Sequence, residues 1–373
     1  MAEKFLLKDQ LFNAASVGQL AAEFAAALPD FDADSFAADA MDGFPERELM
    51  ARMGWMADCL EDQLAADFPA MAAQLHEALP PRLDPSKTDD DFGHFIHALP
   101  GILAVRHGLE DHRGRAMALL YEATQRFSME FYIRAFLNRW PEETLAELAL
   151  WARDDNYHVR RLVSEGTRPR LPWAQGICLV PEQTLPLLDM LYADPARFVT
   201  RSVANHLNDL SKIVPEQVIE RLAAWRTEGR QTAKELDWMT RHALRTLIKQ
   251  GHNGAMAALG YYPDAPVTAR VMLSQDSVPI GSALEFEIEL VSEADIPVLV
   301  DYRISFAHAS GKTTEKVFKL RTAKVDVGTP LRLVKRHPFK AAATTFTLNT
   351  GAHSITVQVN GRDVAFAEFH LTD

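Results

Sequence analysis

PEQTLPLLDMLYADPARFVTRSVANHL, residues 181–207, is the middle copy of a pattern that occurs three times. Its opening, Pro181-Glu182-Gln183-Thr184-Leu185, is matched by Pro141-Glu142-Glu143-Thr144-Leu145 and by Pro215-Glu216-Gln217-Val218-Ile219. Each reads as a helix start: proline suits the first turn, where its missing N–H is not needed, and carboxylates favour the positive end of the helix dipole. A second mark follows each opening. His158-Val159-Arg160-Arg161, Phe198-Val199-Thr200-Arg201 and Trp238-Met239-Thr240-Arg241 recur every 40 residues, each leading into a short apolar helix. The third unit opens six residues early and regains the spacing through the polar insert RTEGRQTAKE, 226–235. A two-helix period of this length is that of HEAT-like repeats, in which stacked neighbours bury a core that one pair cannot close alone.

Working outward, residues 1–100 read as amphipathic helices, for example LMARMGWMADCLEDQLAADF, 49–68, ending in the polar loop PPRLDPSKTDDD, 80–91. RGRAMALLYEATQRF, 113–127, and MEFYIRAFLNRW, 129–140, supply another helical pair. After Gly260 the periodicity changes. YYPDAPVT, 261–268, is a linker, and beyond it residues alternate in ALEFEIELVS, VLVDYRISFA, EKVFKLRTA, TTFTLNT, HSITVQVNG and VAFAEFHLT. Six or seven short strands at this spacing predict an antiparallel immunoglobulin-like sandwich. The expected fold is therefore mainly α: a HEAT-like helical-repeat solenoid over 1–262, followed by a C-terminal β-sandwich over 266–373.

No apolar run is long enough for a membrane span, and MAEKFLLKDQLF lacks the layout of a signal peptide, so the expectation is a soluble cytoplasmic protein. Cys59 and Cys178 are too few for a disulfide framework or a cysteine zinc site and are expected as reduced core residues. The net charge of -12 is uneven: residues 1–100 carry 6 basic and 19 acidic side chains, residues 101–260 carry 21 and 19, and residues 261–373 carry 12 and 13. Of the 21 basic residues in 101–260, 18 are arginine, whose planar fork suits phosphate oxygens. Pairing with helix-surface glutamates is the alternative. Phosphate-loop, dinucleotide, zincin and nucleophile-elbow motifs are missing. His94 and His97, with His107 and His112, have no assigned carboxylate partner and read as helix-surface histidines, so no metal is expected.

DDNYHVRRLVSEGTRPRLPW, 154–173, gathers four arginines around three acids. Asp154 and Asp155 open a helix, and N-capping accounts for them. Glu165 ends that helix before Gly166, an expected C-cap, at the negative end of the dipole where an acid is locally disfavoured. Glu130 lies in RFSMEFYIR among Phe127, Phe131 and Ile133, where an unpaired acid is costly. An arginine or a cationic ligand must compensate it. Both glutamates are candidates for function, and pairing with Arg134 or Arg161 is the structural alternative. Trp173 is either a plug between repeats or an aromatic platform.

RFSMEFYIRAFL at 126–137, HVRRLVSEGTRPRLPW at 158–173, the repeats and the sandwich together resemble the AlkC branch of the AlkC/AlkD DNA glycosylases, over most of the chain. The pattern departs from that family's at Ser128-Met129 and Ala135. The resemblance implies an enzyme that wraps damaged duplex DNA and excises N-alkylated bases, chiefly 3-methyladenine and 3-methylcytosine, without flipping them. It implies catalytic roles for Glu130, Glu165 and Trp173, no cofactor, and action as a monomer. Arg160, Arg161, Arg168 and Arg170 would then hold backbone phosphates, joined by Arg201 and Arg241 at the equivalent repeat positions. In the sandwich, nine of twelve basic residues fall in GKTTEKVFKLRTAK, 311–324, and RLVKRHPFK, 332–340, expected as neighbouring strands or their connecting loop. Lys316, Lys319, Arg321, Lys335 and Arg336 are the DNA-binding candidates there, with protection of edge strands as the alternative. The rival function is a non-catalytic HEAT-repeat scaffold binding protein or DNA.

Overall fold

Pro141, Pro181 and Pro215 each stand at the first position of a helix in the computed structural model, which describes residues 6–89, 91–308, 312–340 and 348–373. The first helices of the three repeats are Pro141–Trp151, Pro181–Leu191 and Pro215–Glu228, and the second helices are Tyr157–Gly166, Arg197–Leu210 and Ala233–Ala243. The helical region and the following β-sandwich are thus both present. Two expected helices are shorter than their sequence pattern. The 49–68 segment ends its helix at Glu61, and Phe68–Glu77 starts afresh, because the Asp67 carboxylate caps Ala70 N at 3.1 Å and Pro69 sets the first turn. In 129–140 the helix begins only at Ile133, leaving Glu130 on the preceding turn.

The described chain falls into two compact units, Met1–Leu210 with Glu228–Glu235, and Ser211–Thr227 with Leu236–Asp373. In the first, the second helices Tyr157–Gly166 and Arg197–Leu210 pack together, with Ser202 and His206 of the latter both reaching Ser164 of the former. Gly166 is helical rather than left-handed, so the expected C-cap is corrected. A Cβ there would meet Ile133 Cγ2 at 2.5 Å, and close packing is what requires glycine. The Cys178 thiol, expected in a core, is exposed. His97 and His107 pair with Glu23 and Glu61, at 2.9 and 2.8 Å.

The sandwich in the second unit comprises β1 (Val267–Leu273), β2 (Ser277–Pro279), β3 (Ala283–Ser292), β4 (Ile296–Ala307), β5 (Thr313–Val325), β6 (Leu331–Pro338), β7 (Gly351–Val359) and β8 (Arg362–Thr372). Sheet order is β1-β3-β6 against β2-β8-β7-β4-β5, around a core that includes Phe286, Ile288, Tyr302 and Phe369. The short β2 runs parallel to β8, so the sandwich is not wholly antiparallel. The strand expected over TTFTLNT, 344–350, falls largely outside the described residues. The two basic segments form consecutive strands, β5 and β6, but β5 pairs with β4 and β6 with β3, so each lies at the edge of a different sheet. Alternation identifies strands; it carries no information about which sheet takes them. Asn360 fastens the strand end to the linker, its Oδ1 accepting from Leu299 N at 2.8 Å and its Nδ2 donating to the Tyr262 carbonyl at 3.2 Å.

His206 on the Arg197–Leu210 helix donates from Nδ1 to the Ser164 carbonyl at 3.0 Å, while its buried Nε2 has no partner among the described residues. Burial pushes its pKa down from 6.5 to about 4. Between these values the unfolded chain binds a proton that the native site refuses, so stability falls as pH drops through this window. The melting temperature should therefore decline from about pH 7 to about pH 5, and His206→Gln should flatten that decline. An unchanged slope in the variant would remove His206 as a source.

Candidate active site

One turn of helix separates Arg161 from Glu165, and the helix that carries them is held at its start by Asn156, whose side chain accepts from His158 N at 2.8 Å. Asp154 and Asp155 are not the cap. Asp154 instead accepts from Asn156 N at 2.8 Å and from the Tyr121 hydroxyl at 2.7 Å. Downstream, Arg161 is buried and its guanidinium lies 4.3 Å from the Phe198 ring centroid. Its Nη1 donates to Glu130 Oε2 at 2.8 Å and to Ser128 Oγ at 3.1 Å, and its Nη2 is 3.8 Å from Glu165 Oε2. The arginine expected to compensate the two glutamates is thus a single residue shared by both.

Glu165 is only 5% exposed. Ser202 Oγ donates to its Oε2 at 2.6 Å and, having one proton, receives the hydrogen bond from Ser164 Oγ at 3.0 Å. Arg168 Nη1 donates to Glu165 Oε1 at 2.5 Å, and its Nε and Nη2 reach Asp209 Oδ2 at 3.0 and 2.8 Å. Burial opposes ionisation of Glu165, yet Arg161 and Arg168, with the Ser202 and Arg168 hydrogen bonds, outweigh it and hold the carboxyl below the usual range. The result is a chain of charge, Glu130–Arg161–Glu165–Arg168–Asp209. Within the chain three carboxylates meet two guanidiniums, and the guanidinium of Arg134 also acts on Glu130, Glu165 and Asp209.

Glu130, Arg161, Glu165 and Arg168 of this chain, with Asp91, line a cavity of about 390 Å³, three acids against two cations, whose other walls are aromatic, including Phe92, Phe95, Phe131 and Phe198. Trp173 borders it, 66% exposed, which excludes a plug between repeats. Its backbone is left-handed, with φ of 65°, a strained setting for a bulky side chain that persists only where surrounding contacts impose it. Those contacts come from Ile133–Arg139. Arg134, fully buried, donates to the carbonyls of Gly166, Arg168 and Gln175 at 3.0, 2.8 and 2.6 Å, and Asn138 Nδ2 donates to the Gly176 carbonyl at 2.9 Å. His158 also lines the cavity, its pKa pushed down to about 4 chiefly by burial, so it is neutral at pH 7.

Glu130, Glu165, Trp173, Arg161 and Arg168 therefore meet in one place. Arg160 does not join them: it grips Asp194 through Nε and Nη2, at 2.5 and 2.9 Å, and donates from Nη1 to the carbonyls of Asp154 and Asp155. Any phosphate contact by Arg160, Arg161 or Arg168 requires these pairs to open. Arg170 is exposed, and Arg201 pairs with Asp89 at 2.6 Å. In the sandwich Lys316, Lys319 and Arg321 are exposed on β5, Lys335 is half-buried on β6, and Arg336 lies 3.5 Å from Glu285. Arg241 lines a separate cavity.

Residues 267–373 match the family model described as "Uncharacterised protein YhaZ, C-terminal Ig-like domain". Across 361 residues, 94% of this chain and 96% of the relative, the sequence is 31% identical to the uncharacterized protein YhaZ of Bacillus subtilis (strain 168). The fold is similar to that of the Pseudomonas fluorescens alkylpurine DNA glycosylase AlkC, solved bound to DNA containing an abasic site analog. The TM-score is 0.82 at 32% identity, covering 99% of this chain and 100% of that one. The chain belongs to the AlkC/YhaZ family. Several residues of the site were not singled out from sequence: Ser128, Ser202, Asp209, Phe92 and Phe95. Ser202 could have been found from the repeat, because it follows Arg201, the 40-residue counterpart of Arg161. Asp209 had no such signal.

Arg134→Met should cost about 1–3 kcal/mol in urea unfolding, because the buried Gly166 carbonyl loses its donor, while water can reach the part-buried carbonyls of Arg168 and Gln175. A cost under about 1 kcal/mol would show that solvent replaces the guanidinium.

Proposed function

We propose that this protein is a DNA glycosylase that removes cationic N-alkylated bases, such as 3-methyladenine and 3-methylcytosine, from duplex DNA without flipping them out. The observation that carries the reading is the lining of an aromatic cavity by three carboxylates, Asp91, Glu130 and Glu165, against two guanidiniums, Arg161 and Arg168. A buried excess of negative charge favours a cation, and the deoxyribose oxocarbenium ion is one. The similar AlkC enzyme was solved on DNA containing an abasic site analog, and an abasic site is what such a reaction leaves. An N3-alkylated base already carries positive charge and leaves as a neutral molecule without being protonated. As the glycosidic bond breaks, its electrons go to the base, and Glu130 or Glu165 stabilises the positive sugar and accepts the proton of the attacking water. The Trp173 face adds attraction for the same charge. Unmodified neutral bases leave too slowly for this assistance to matter. No cofactor takes part in these steps.

Residues 1–262 would carry the chemistry and 266–373 would add phosphate contacts through Lys316, Lys319, Arg321, Lys335 and Arg336, with Arg170, Arg201 and Arg241 serving the helical side and the chain acting as a monomer. The direct test incubates the protein with methylated duplex DNA and separates released bases by chromatography. Release of 3-methyladenine or 3-methylcytosine supports the reading. DNA binding with no released base assigns the chain to non-catalytic binding instead.

Glu130→Gln and Glu165→Gln should each slow single-turnover release by at least about tenfold, a conservative figure for one charge-stabilising group worth roughly 3 kcal/mol. Trp173→Ala should slow it while leaving the melting temperature nearly unchanged, since the ring is largely solvent-exposed. Because Glu165 is held below the usual carboxylate range, the rate should stay flat from about pH 8 to about pH 5. A midpoint near neutrality would point to another group.

A further inference from the structure

The second unit contains a cavity of about 480 Å³ that the proposed chemistry does not use. Arg241, Arg245, Lys249 and Lys319 line it, and Asp301 is its one acid. Among the described residues neither Arg241 nor Lys249 meets a carboxylate. Arg241, Lys249 and Lys319 against the single Asp301 leave a positive excess in a concave space, which attracts and concentrates anions.

The remaining lining specifies more than a bare ion. Ile248, Leu259, Tyr261 and Leu299 form an apolar floor that is itself a small packed cluster with Met256. Leu299 and Asp301 sit on the outer face of β4, while Val298, Val300 and Tyr302 fill the sandwich core. A register shift at Val300/Asp301 interrupts the pairing with β5, and such bulges redirect side chains. Asp301 is 7% exposed. The Leu320 backbone N–H serves its carboxylate, and Oδ1 has no hydrogen-bond partner among the described residues. An unserved buried oxygen is costly unless a donor arrives. Burial pushes this carboxyl up to about 6, the expected result where compensation is incomplete.

We propose that this cavity binds a nucleotide through its phosphate ester: Arg241 and Lys249 take the phosphate, the Tyr261–Leu299 floor takes the organic body, and Asp301 Oδ1 takes an N–H or O–H donor. A phosphate ion alone would leave the floor and Asp301 uncovered, and an apolar ligand would leave the cations unmatched. The nucleotide can be a free monophosphate or one unit of a DNA strand. Base excision is not a premise of this inference.

The test uses the full chain and four proteins: wild type, Arg241→Gln/Lys249→Gln, Asp301→Asn, and Arg270→Gln as a control, since Arg270 is exposed on β1, does not line the cavity and is not among the proposed phosphate contacts. Each is titrated calorimetrically with the four deoxynucleoside monophosphates, with inorganic phosphate, and with an undamaged short duplex. The double variant should weaken its nucleotide probe by about tenfold or more, the scale of one lost charge-assisted hydrogen bond. Asp301→Asn should weaken it for some bases more than others, and Arg270→Gln should leave it unchanged. Loss confined to the monophosphates identifies a free nucleotide, and loss confined to the duplex identifies a strand unit. The proposal is overturned if the double variant matches wild type for every probe, if inorganic phosphate binds as tightly as any nucleotide probe, or if Arg270→Gln weakens binding equally. Melting curves of the two exposed-residue variants establish that they remain folded.

Discussion

A guanidinium buried between two carboxylates governs the first unit. Arg161 is desolvated, yet Glu130, Glu165 and Ser128 surround its nitrogens and Phe198 covers a face, so its positive charge is stabilised where water cannot reach. Such an arrangement is a poor source of stability: apolar side chains of similar volume often serve as well, whereas removing one partner leaves a buried charge uncompensated. Its value lies in orientation. Glu130 sits on a turn and Glu165 at the end of a helix, and one shared partner fixes both acids relative to each other.

The same economy extends to the loop that follows. Arg134 is charged and fully buried, but it meets three backbone carbonyls rather than a carboxylate. Carbonyl dipoles satisfy its donors while leaving its charge in place, and burial lowers its pKa to about 10. Those carbonyls belong to the chain on both sides of Trp173, so the strained left-handed backbone of that residue is fixed at its flanks. An exposed tryptophan gains little by burial. Holding it in an unfavourable conformation therefore has an explanation in the cavity it borders, and none in the core.

Sequence periodicity exposed the repeats because proline and the dipole act locally, within a single turn. Glu165 was visible for the same reason, as an acid placed against its own helix dipole. Asp209 and Phe92 were invisible because their roles depend on partners 41 and 69 residues away, set by how helices stack. Composition also cannot distinguish a guanidinium that faces solvent from one that faces an acid. Arg160, Arg161, Arg168 and Arg170 look alike in sequence, yet three have carboxylate partners and Arg170 is exposed. Gly166 misled differently: glycine after a helical run suggests a left-handed cap, and close approach of Ile133 is the reason instead.

The repeat makes one position comparable three times. Arg161, Arg201 and Arg241 are equivalent, but the residue four places later changes from Glu165 to Asn205 to Arg245. An arginine followed by an acid closes an ion pair within its own helix, as Arg161 does with Glu165. In the second copy no acid is available at that position, and Arg201 finds Asp89 from a distant loop. In the third, Arg245 stands four places on, past the end of the Ala233–Ala243 helix, and supplies no acid there. A repeated scaffold thus carries a carboxylate site in one copy and an electropositive site in another, with the backbone period unchanged. The net charge of the chain conceals this, because what each site attracts is decided locally, by the residues that line it.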